Sequence, residues 1–159
     1  MLNSLPKTPC IGHCSTVFGD SVCRGCMRFI HEVIDWNRYS TEQKTIIWQR
    51  LDEHLRLILP QYVRIYDPRK IIAALQQQHI VYDPDNLWRG IYELLRAYEK
   101  GIINLEQIGF SVKSQYRLID IQEKLYELAF AYYEKDFLRA TKQESDLSRS
   151  LISLNHIND

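Results

Sequence analysis

Hydrophobic positions along most of the chain recur at steps of three and four residues, the period of an amphipathic helix. The clearest case is residues 41–59, where Ser40 and Gln43 form a capping-box signature at the start and Pro60 marks the end. Trp48 lies beside the apolar stripe of this helix and is predicted at the edge of the core. The stripe itself is predicted to be buried and comprises Ile46, Ile47, Leu51, Leu55 and Ile58.

The same period predicts further helices on both sides of this one. Their expected ranges are 27–36, 67–79, 87–100 and 111–139, with a short helical turn over 105–108. Asp-Pro pairs at 67–68 and 83–84 are typical of helix starts, and Gly101 is typical of a helix end. Strand signals are few, because the apolar run 80–82 is too short to build a sheet. The chain is therefore predicted to be mostly α.

Composition narrows the class of protein. The 159 residues are enough for one ordinary domain, or for a small module attached to a helical core. Lys plus Arg and Asp plus Glu both number 20, so the formal charge is zero, and bulk nucleic-acid binding is not expected. No apolar run approaches the roughly 20 residues that cross a bilayer, and the N-terminal residues lack the pattern of a signal peptide. We expect a cytoplasmic protein that does not enter a membrane.

All four cysteines lie close together near the N-terminus. Cys10, Cys14, Cys23 and Cys26 have the spacing C-x3-C-x8-C-x2-C, and residues 27–159 contain no cysteine. Two close pairs joined by a short loop are able to fold back so that four thiolates meet at one ion. Disulfides within so short a segment would close only small loops, where the gain in stability is least. The spacing predicts one metal centre held by all four cysteines.

Two glycines are expected to support this centre, Gly12 within the first cysteine pair and Gly25 within the second. Glycine allows the backbone turns that aim amide N–H groups at thiolate sulfur atoms. Three other interpretations remain open at this point. The cysteines are small buried hydrophobic residues, or Cys23 and Cys26 form a thioredoxin-type redox pair, or His13 replaces one cysteine as a ligand.

The residues that follow the cysteines extend the pattern. Gly25, Arg28, Glu32 and Trp36 join the cysteines in a motif of the form Pro-Cys, Cys, Cys-x-Gly-Cys-x-Arg, Glu-Val and Trp. This motif resembles the domain of unknown function family 1289 over roughly the first third of the chain, with Val33 where an Ile and Phe29 where a Thr are usual. The resemblance implies a bacterial protein, and members of the family are described as predicted iron–sulfur proteins. It implies no particular reaction.

The identity of the metal stays open between two interpretations. The resemblance implies an iron–sulfur cluster. The spacing alone is more typical of a zinc knuckle or of a single iron ion held by four cysteines, since ferredoxin-like clusters favour C-x2-C-x2-C runs with a remote fourth cysteine. We therefore expect one metal centre that contains either an iron–sulfur cluster or zinc.

The remaining chain contains no combination of residues typical of catalysis, and we expect no enzyme activity from it. The predicted function is a small non-catalytic metal-binding module that acts through contacts with a protein partner. Arg24, Arg28 and Trp36 are the expected contact residues, with Arg28 and Glu32 on an exposed helix face where they are able to pair. The alternative is an iron–sulfur redox carrier or sensor that serves another enzyme. A weaker third possibility is a local RNA contact through basic residues beside the cysteines.

The predicted organisation has three parts. Residues 1–59 form the four-cysteine module with two helices, and residues 60–141 form a helical region packed on it. Residues 142–159 form a polar tail that is either loosely docked or disordered. Together these predict a metal knuckle followed by a bundle of about five helices.

Overall fold

A computed structural model describes residues 7–138, 141–147 and 149 of the chain. It is 60% helix, which confirms the prediction of a mostly α protein. The named helices of these residues are α1 (Ile30–Ile34), α2 (Thr41–Ile58), α3 (Pro68–Gln77), α4 (Trp88–Glu99) and α5 (Leu118–Tyr132). Two short strands are present, β1 (Val63–Ile65) and β2 (Phe110–Val112). Single 3₁₀ turns span Ser15–Phe18, Trp36–Arg38 and Leu59–Gln61, and a π-helix, Tyr133–Leu138, continues α5.

The long helix α2 is the centre of the fold. It packs against both α4 and α5, and α3 packs against α4. One hydrophobic core runs through all these elements, from Val22 and Phe29 beside the cysteines to Tyr133 after α5. The segment that contains the four cysteines, residues 10–26, is called the cysteine segment. This segment and the helices therefore share a single core.

Helix α2 begins where its capping box predicts. The Ser40 hydroxyl accepts a hydrogen bond from the Gln43 amide, and the Gln43 side chain accepts one from the Ser40 amide. The predicted buried stripe is wrong at one edge, since Ile46 is 65% exposed whereas Trp48 is only 4% exposed. Because α4 and α5 cover this helix from the side of Trp48, its buried face is rotated away from Ile46.

The prediction of a helix from residue 111 is wrong at its start. Residues 110–112 form β2, which pairs antiparallel with β1 so that Ile65 lies opposite Phe110. Helix α5 begins at Leu118, where the Asp120 carboxylate accepts a hydrogen bond from the Arg117 amide. Residues 105–108 form a turn and bend rather than a helical turn. The strand pairing joins segments about fifty residues apart, which local periodicity does not reveal.

The other helix boundaries follow the local signals. The Asp67 carboxylate accepts a hydrogen bond from the Arg69 amide at the start of α3, with Pro68 as the first helical residue. Gly101 has a positive φ of 70° after the end of α4. Residues 142–147 and 149, in the predicted tail, are helical and exposed, and the other residues of that tail lie outside the described part of the chain.

A search of the described residues finds no helix with both the length and the apolar character required to cross a bilayer.

Candidate functional site

The second cysteine pair lies in a tight, buried turn. The Cys23 amide donates to the Arg28 carbonyl at 2.8 Å, and the Met27 amide donates to the Cys23 carbonyl at 2.8 Å. Met27 has a positive φ of 63°, which reverses the chain directly after Cys26. Val22 and Phe29 form an antiparallel bridge across the base of the turn. The turn thus holds both thiols against the core, with Cys23 only 1% and Cys26 9% exposed.

Backbone amides converge on the sulfur of Cys23. The Cys26 thiol hydrogen-bonds to it, and the amides of Cys26, Ser15 and Gly25 add further hydrogen bonds. The hydrogen bond from the Cys26 thiol is the largest cause of the lowered pKa of Cys23, which is about 4, and burial opposes it. The same bond, together with burial, raises the pKa of Cys26. The shared hydrogen bond thus moves the two pKa values apart, and Cys23 is the more acidic thiol of the pair.

Arg28 supports this turn from within the protein. Its Nε lies 3.3 Å from the Cys26 sulfur, and its guanidinium carbon lies 4.8 Å from the centre of the Trp36 ring. The Trp36 indole N–H in turn donates to the Lys7 carbonyl at 3.2 Å. Arg28 is 3% and Trp36 6% exposed, so neither side chain is available to a partner in this conformation.

Glu32 is also buried and pairs with a residue that the sequence pattern does not indicate. Its carboxylate accepts two hydrogen bonds from Arg50 of α2, at 2.6 and 2.7 Å, and one from the Phe29 amide at 2.9 Å. The expected pairing of Arg28 with Glu32 on an exposed face is wrong. Helix α1 begins only at Ile30, so Arg28 lies in the cysteine turn and Glu32 faces α2.

Arg24 differs from the other two predicted contact residues. Its side chain is 59% exposed and forms an ion pair with Asp20 at 3.4 Å. Its guanidinium carbon also lies 4.0 Å from the centre of the Tyr126 ring, which links the cysteine turn to α5. Arg24 is therefore the one of the three predicted contact residues that reaches the surface.

The first cysteine pair lies in a more open loop. Cys10 is exposed, and its sulfur accepts a hydrogen bond from the Gly12 amide at 3.4 Å. Gly12 has a φ of 90°, a conformation that favours glycine. The Cys14 sulfur lies 2.9 Å from the Thr16 hydroxyl, so this thiol also bonds within its own loop.

The two cysteine turns contact each other at Gly25. A Cβ atom placed there would lie 2.7 Å from the Ile11 side chain and 3.0 Å from the His13 carbonyl oxygen. That same carbonyl oxygen lies 4.0 Å from the Cys23 sulfur. Because only a residue without a side chain permits this approach, Gly25 allows the first turn to pack directly over the second.

The four sulfur atoms are nevertheless not arranged as a metal site in this conformation. Among residues 7–138, 141–147 and 149, no group of three or more His, Cys, Asp and Glu side chains is positioned to hold an ion. The thiols of Cys23 and Cys26 are both buried and hydrogen-bond to each other. Cys10 and Cys14 instead bond to neighbours within their own loop.

The loop between the two pairs presents apolar side chains to solvent. Val17 is 74% and Phe18 is 90% exposed, both within the 3₁₀ turn Ser15–Phe18. A large aromatic side chain this exposed is uncommon in a globular protein and marks a candidate contact surface.

Residues 8–55 match a family model described as protein of unknown function (DUF1289). This is the family that the cysteine motif resembles, and the match lies in the N-terminal part of the chain. No curated protein and no solved structure matches the chain.

Proposed function

We propose that the cysteine segment is a metal-binding module in which Cys23 and Cys26 form a fixed half of the site, while Cys10 and Cys14 form a half that adjusts. The observation that carries the proposal is the buried pair at Cys23 and Cys26, whose sulfur atoms receive hydrogen bonds from several amides. Amides aimed at sulfur stabilise thiolates, the form of cysteine that binds metals.

The contact at Gly25 supports the second half of the proposal. Ile11 and His13 already lie against the Cys23–Cys26 turn, so Cys10 and Cys14 flank residues that touch it. To join the site, the Cys10 thiol has to leave the Gly12 amide and the Cys14 thiol has to leave the Thr16 hydroxyl. Both are single weak interactions in an open loop, so little free energy opposes the change.

The buried residues around the turn would keep the fixed half in place. Arg28 holds the Cys26 sulfur from one side, and the pairing of Glu32 with Arg50 anchors α1 on α2. When bound, zinc would supply structural cross-linking, whereas an iron centre would supply electron transfer. The protein part of the site is the same in both cases.

The test is metal content and the visible spectrum of protein purified without oxygen. We expect one metal centre per chain in the wild type and a sharp loss when any one of the four cysteines is changed to Ser. Thr16→Val is the matched control, because it removes the partner of Cys14 but no thiol, and it should retain the metal. Unchanged stoichiometry in all four Ser variants contradicts the proposal.

The same data distinguish the alternatives. Visible absorption from the purified protein indicates an iron centre and favours the redox carrier or sensor, whereas a colourless protein that contains zinc favours the structural module. A protein without metal, in which only Cys23→Ser and Cys26→Ser change the thiol chemistry, indicates a dithiol redox pair. The hydrogen bond between the Cys23 and Cys26 thiols and the lowered pKa of Cys23 favour the dithiol redox pair over a purely structural role for two buried thiols.

We further propose that the module acts through a protein partner. The partner would contact the exposed side chains of Val17 and Phe18 together with that of Arg24. An exposed aromatic beside an exposed arginine is typical of residues that contribute strongly to protein interfaces. A partner captured by the wild type should be lost with Phe18→Ser, while metal content is unchanged. Ile102→Ser is the control, since Ile102 is also an exposed apolar residue, at 61%, but lies outside the cysteine segment. Equal capture by both variants contradicts the assignment of this surface.

A further inference from the structure

A small cavity lies between the cysteine segment and the helices. Its volume is about 40 Å³, and its walls come from residues 9–11 and 25–27, from α2, from α4 and from α5. His54 of α2 and Tyr92 of α4 are among the lining residues, as is Cys26. The cavity therefore lies directly beneath the Cys23–Cys26 turn.

His54 is one of the buried polar side chains that line this cavity. It is 2% exposed, and neither of its ring nitrogens has a hydrogen-bond partner among the described residues. The Tyr92 hydroxyl, which also lines the cavity, likewise has no such partner. Burial, with a contribution from the nearby charge of Arg50, lowers the pKa of His54 to about 4. At neutral pH the ring is therefore uncharged and offers one N–H donor and one nitrogen acceptor. A buried polar group in this situation destabilises the folded state unless it finds a partner.

Size and charge decide what that partner is. A cavity of about 40 Å³ holds roughly one to three water molecules, because 10–15 Å³ is the least space that holds a water and about 30 Å³ is its share of the liquid, and it has no room for an organic molecule. The two arginines in its wall disfavour a metal cation. They do not favour an anion either, because Arg89 is paired with Asp52 and Arg96 is paired with Glu93. Water is the remaining ligand that both donates to and accepts from a neutral imidazole.

We infer that this cavity is a hydrated site, in which roughly one to three ordered water molecules fill the space beneath the cysteine turn and hydrogen-bond to His54. The inference does not depend on whether the cysteines bind a metal. It assigns His54 a positioning role, since the waters connect α2 with α4 and with the segment that contains Cys26.

An outer cleft adjoins the inner cavity. Its volume is about 350 Å³, and it shares Pro9 and Ile11 with the cavity, as well as Arg89, Glu93 and Arg96 of α4. The first cysteine turn and α4 therefore both border the two spaces.

The test is oxygen-17 magnetic relaxation dispersion, which counts waters with long residence times inside a protein. His54→Leu should lose at least one such water relative to the wild type, because a leucine offers it no hydrogen bond. His54→Gln, which keeps a donor and an acceptor, should retain it. Gln77→Leu is the control, because Gln77 is exposed and lines neither the inner cavity nor the outer cleft. An amide spectrum of each variant confirms that it is folded.

Equal numbers of long-lived waters in the wild type and His54→Leu overturn the inference. If His54→Leu does not fold, the wild type alone provides the test through xenon. A dry cavity takes up xenon and shifts the methyl signals of Leu51 and Leu125, which line it, and that result also overturns the inference. Long-lived waters in the wild type together with unshifted methyl signals support it.

Discussion

At the scale of single residues, the charged side chains around the cysteine turn are internal supports. Arg28 lies between the Cys26 sulfur and the Trp36 ring, and Glu32 binds both α2 and the start of α1. Their spacing from the cysteines is visible in the sequence, but their burial is not. The partner of Glu32 is Arg50, eighteen positions away on another helix, and no local pattern connects the two.

The first prediction concerns Arg28. Arg28→Lys should lower the free energy of unfolding by about 2 kcal/mol, because an ammonium group neither stacks on Trp36 in the same way nor reproduces the bond from Nε to sulfur. Urea denaturation provides the measurement. Arg38→Lys is the control, since the Arg38 side chain is 85% exposed, and its effect should stay within about 0.5 kcal/mol. Equal effects for the two variants would show that Arg28 is not a support.

The second prediction concerns the pairing of Glu32 with Arg50. Glu32→Gln should cost about 3 kcal/mol in unfolding free energy, because it leaves the guanidinium of Arg50 buried without a counter-charge. Glu53→Gln provides a matched control, since Glu53 also forms a two-bond pair with an arginine, Arg56, but at the exposed surface. That control should show no measurable loss. An unfolding free energy of Glu32→Gln equal to that of the wild type would contradict the anchoring role of the pair.

The third prediction concerns pH and His54. Its pKa is lowered to about 4 in the folded protein, so the folded state disfavours the charged ring relative to the unfolded state. The stability that depends on neutral His54 is complete above about pH 6.5 and is lost as the pH falls towards 4, up to about 3 kcal/mol. The difference in unfolding free energy between wild type and His54→Leu should follow this curve. The same pH dependence of unfolding free energy in the wild type and in His54→Leu would contradict the assignment.

At the scale of elements, local capping signals predicted the starts of α2 and α3, but not those of α1 and α5. Ser40 and Gln43 place the start of α2, and Asp67 with Pro68 places the start of α3, because caps act within one helical turn. The face that α2 buries depends on where α4 and α5 lie, so periodicity alone placed Ile46 in the core incorrectly. The strands escaped prediction for a similar reason, since β1 and β2 are three residues long and stabilise each other from distant positions.

The fourth prediction concerns the turn before β2. Gly109 has a φ of 95°, and a Cβ atom there would lie 2.2 Å from the Asp67 carbonyl oxygen. Gly109→Ala should therefore cost well over 2 kcal/mol, through both backbone strain and this clash. Gly101→Ala is the control, because Gly101 has a φ of 70° but open space around it, and it should cost only about 1 kcal/mol. Thermal unfolding of the two variants measures the difference.

At the scale of the whole molecule, the core crosses the predicted boundary at residue 59. Phe29 and Trp36 belong to the same hydrophobic cluster as Leu94 and Leu125. The helical region therefore packs on the cysteine segment through a shared core, and the boundary between the two parts stays a prediction.

The fifth prediction follows from this shared core. Unfolding should occur in one transition, with the same midpoint whether it is followed by helical circular dichroism or by tryptophan fluorescence. The fluorescence reports in part on Trp36 and Trp48, which are both buried near the cysteine segment. A single core unfolds as a unit in a domain of this size. An earlier fluorescence transition would instead indicate that residues 1–59 fold independently.

In the π-helix after α5, Tyr133–Leu138, the number of residues determines which side chain faces His31, in addition to the chemistry of each residue. Tyr133 and Phe137 stack on each other within Tyr133–Leu138, and Phe137 also stacks on His31 at 4.2 Å between ring centres. A π-helix is equivalent to one residue inserted into an α-helix. Deleting one residue between Tyr133 and Phe137 would therefore restore the α period and turn the chain beyond it by about 100°. The ring next to His31 would then be a different one, so a deletion here acts at a distance on the segment that follows the cysteines.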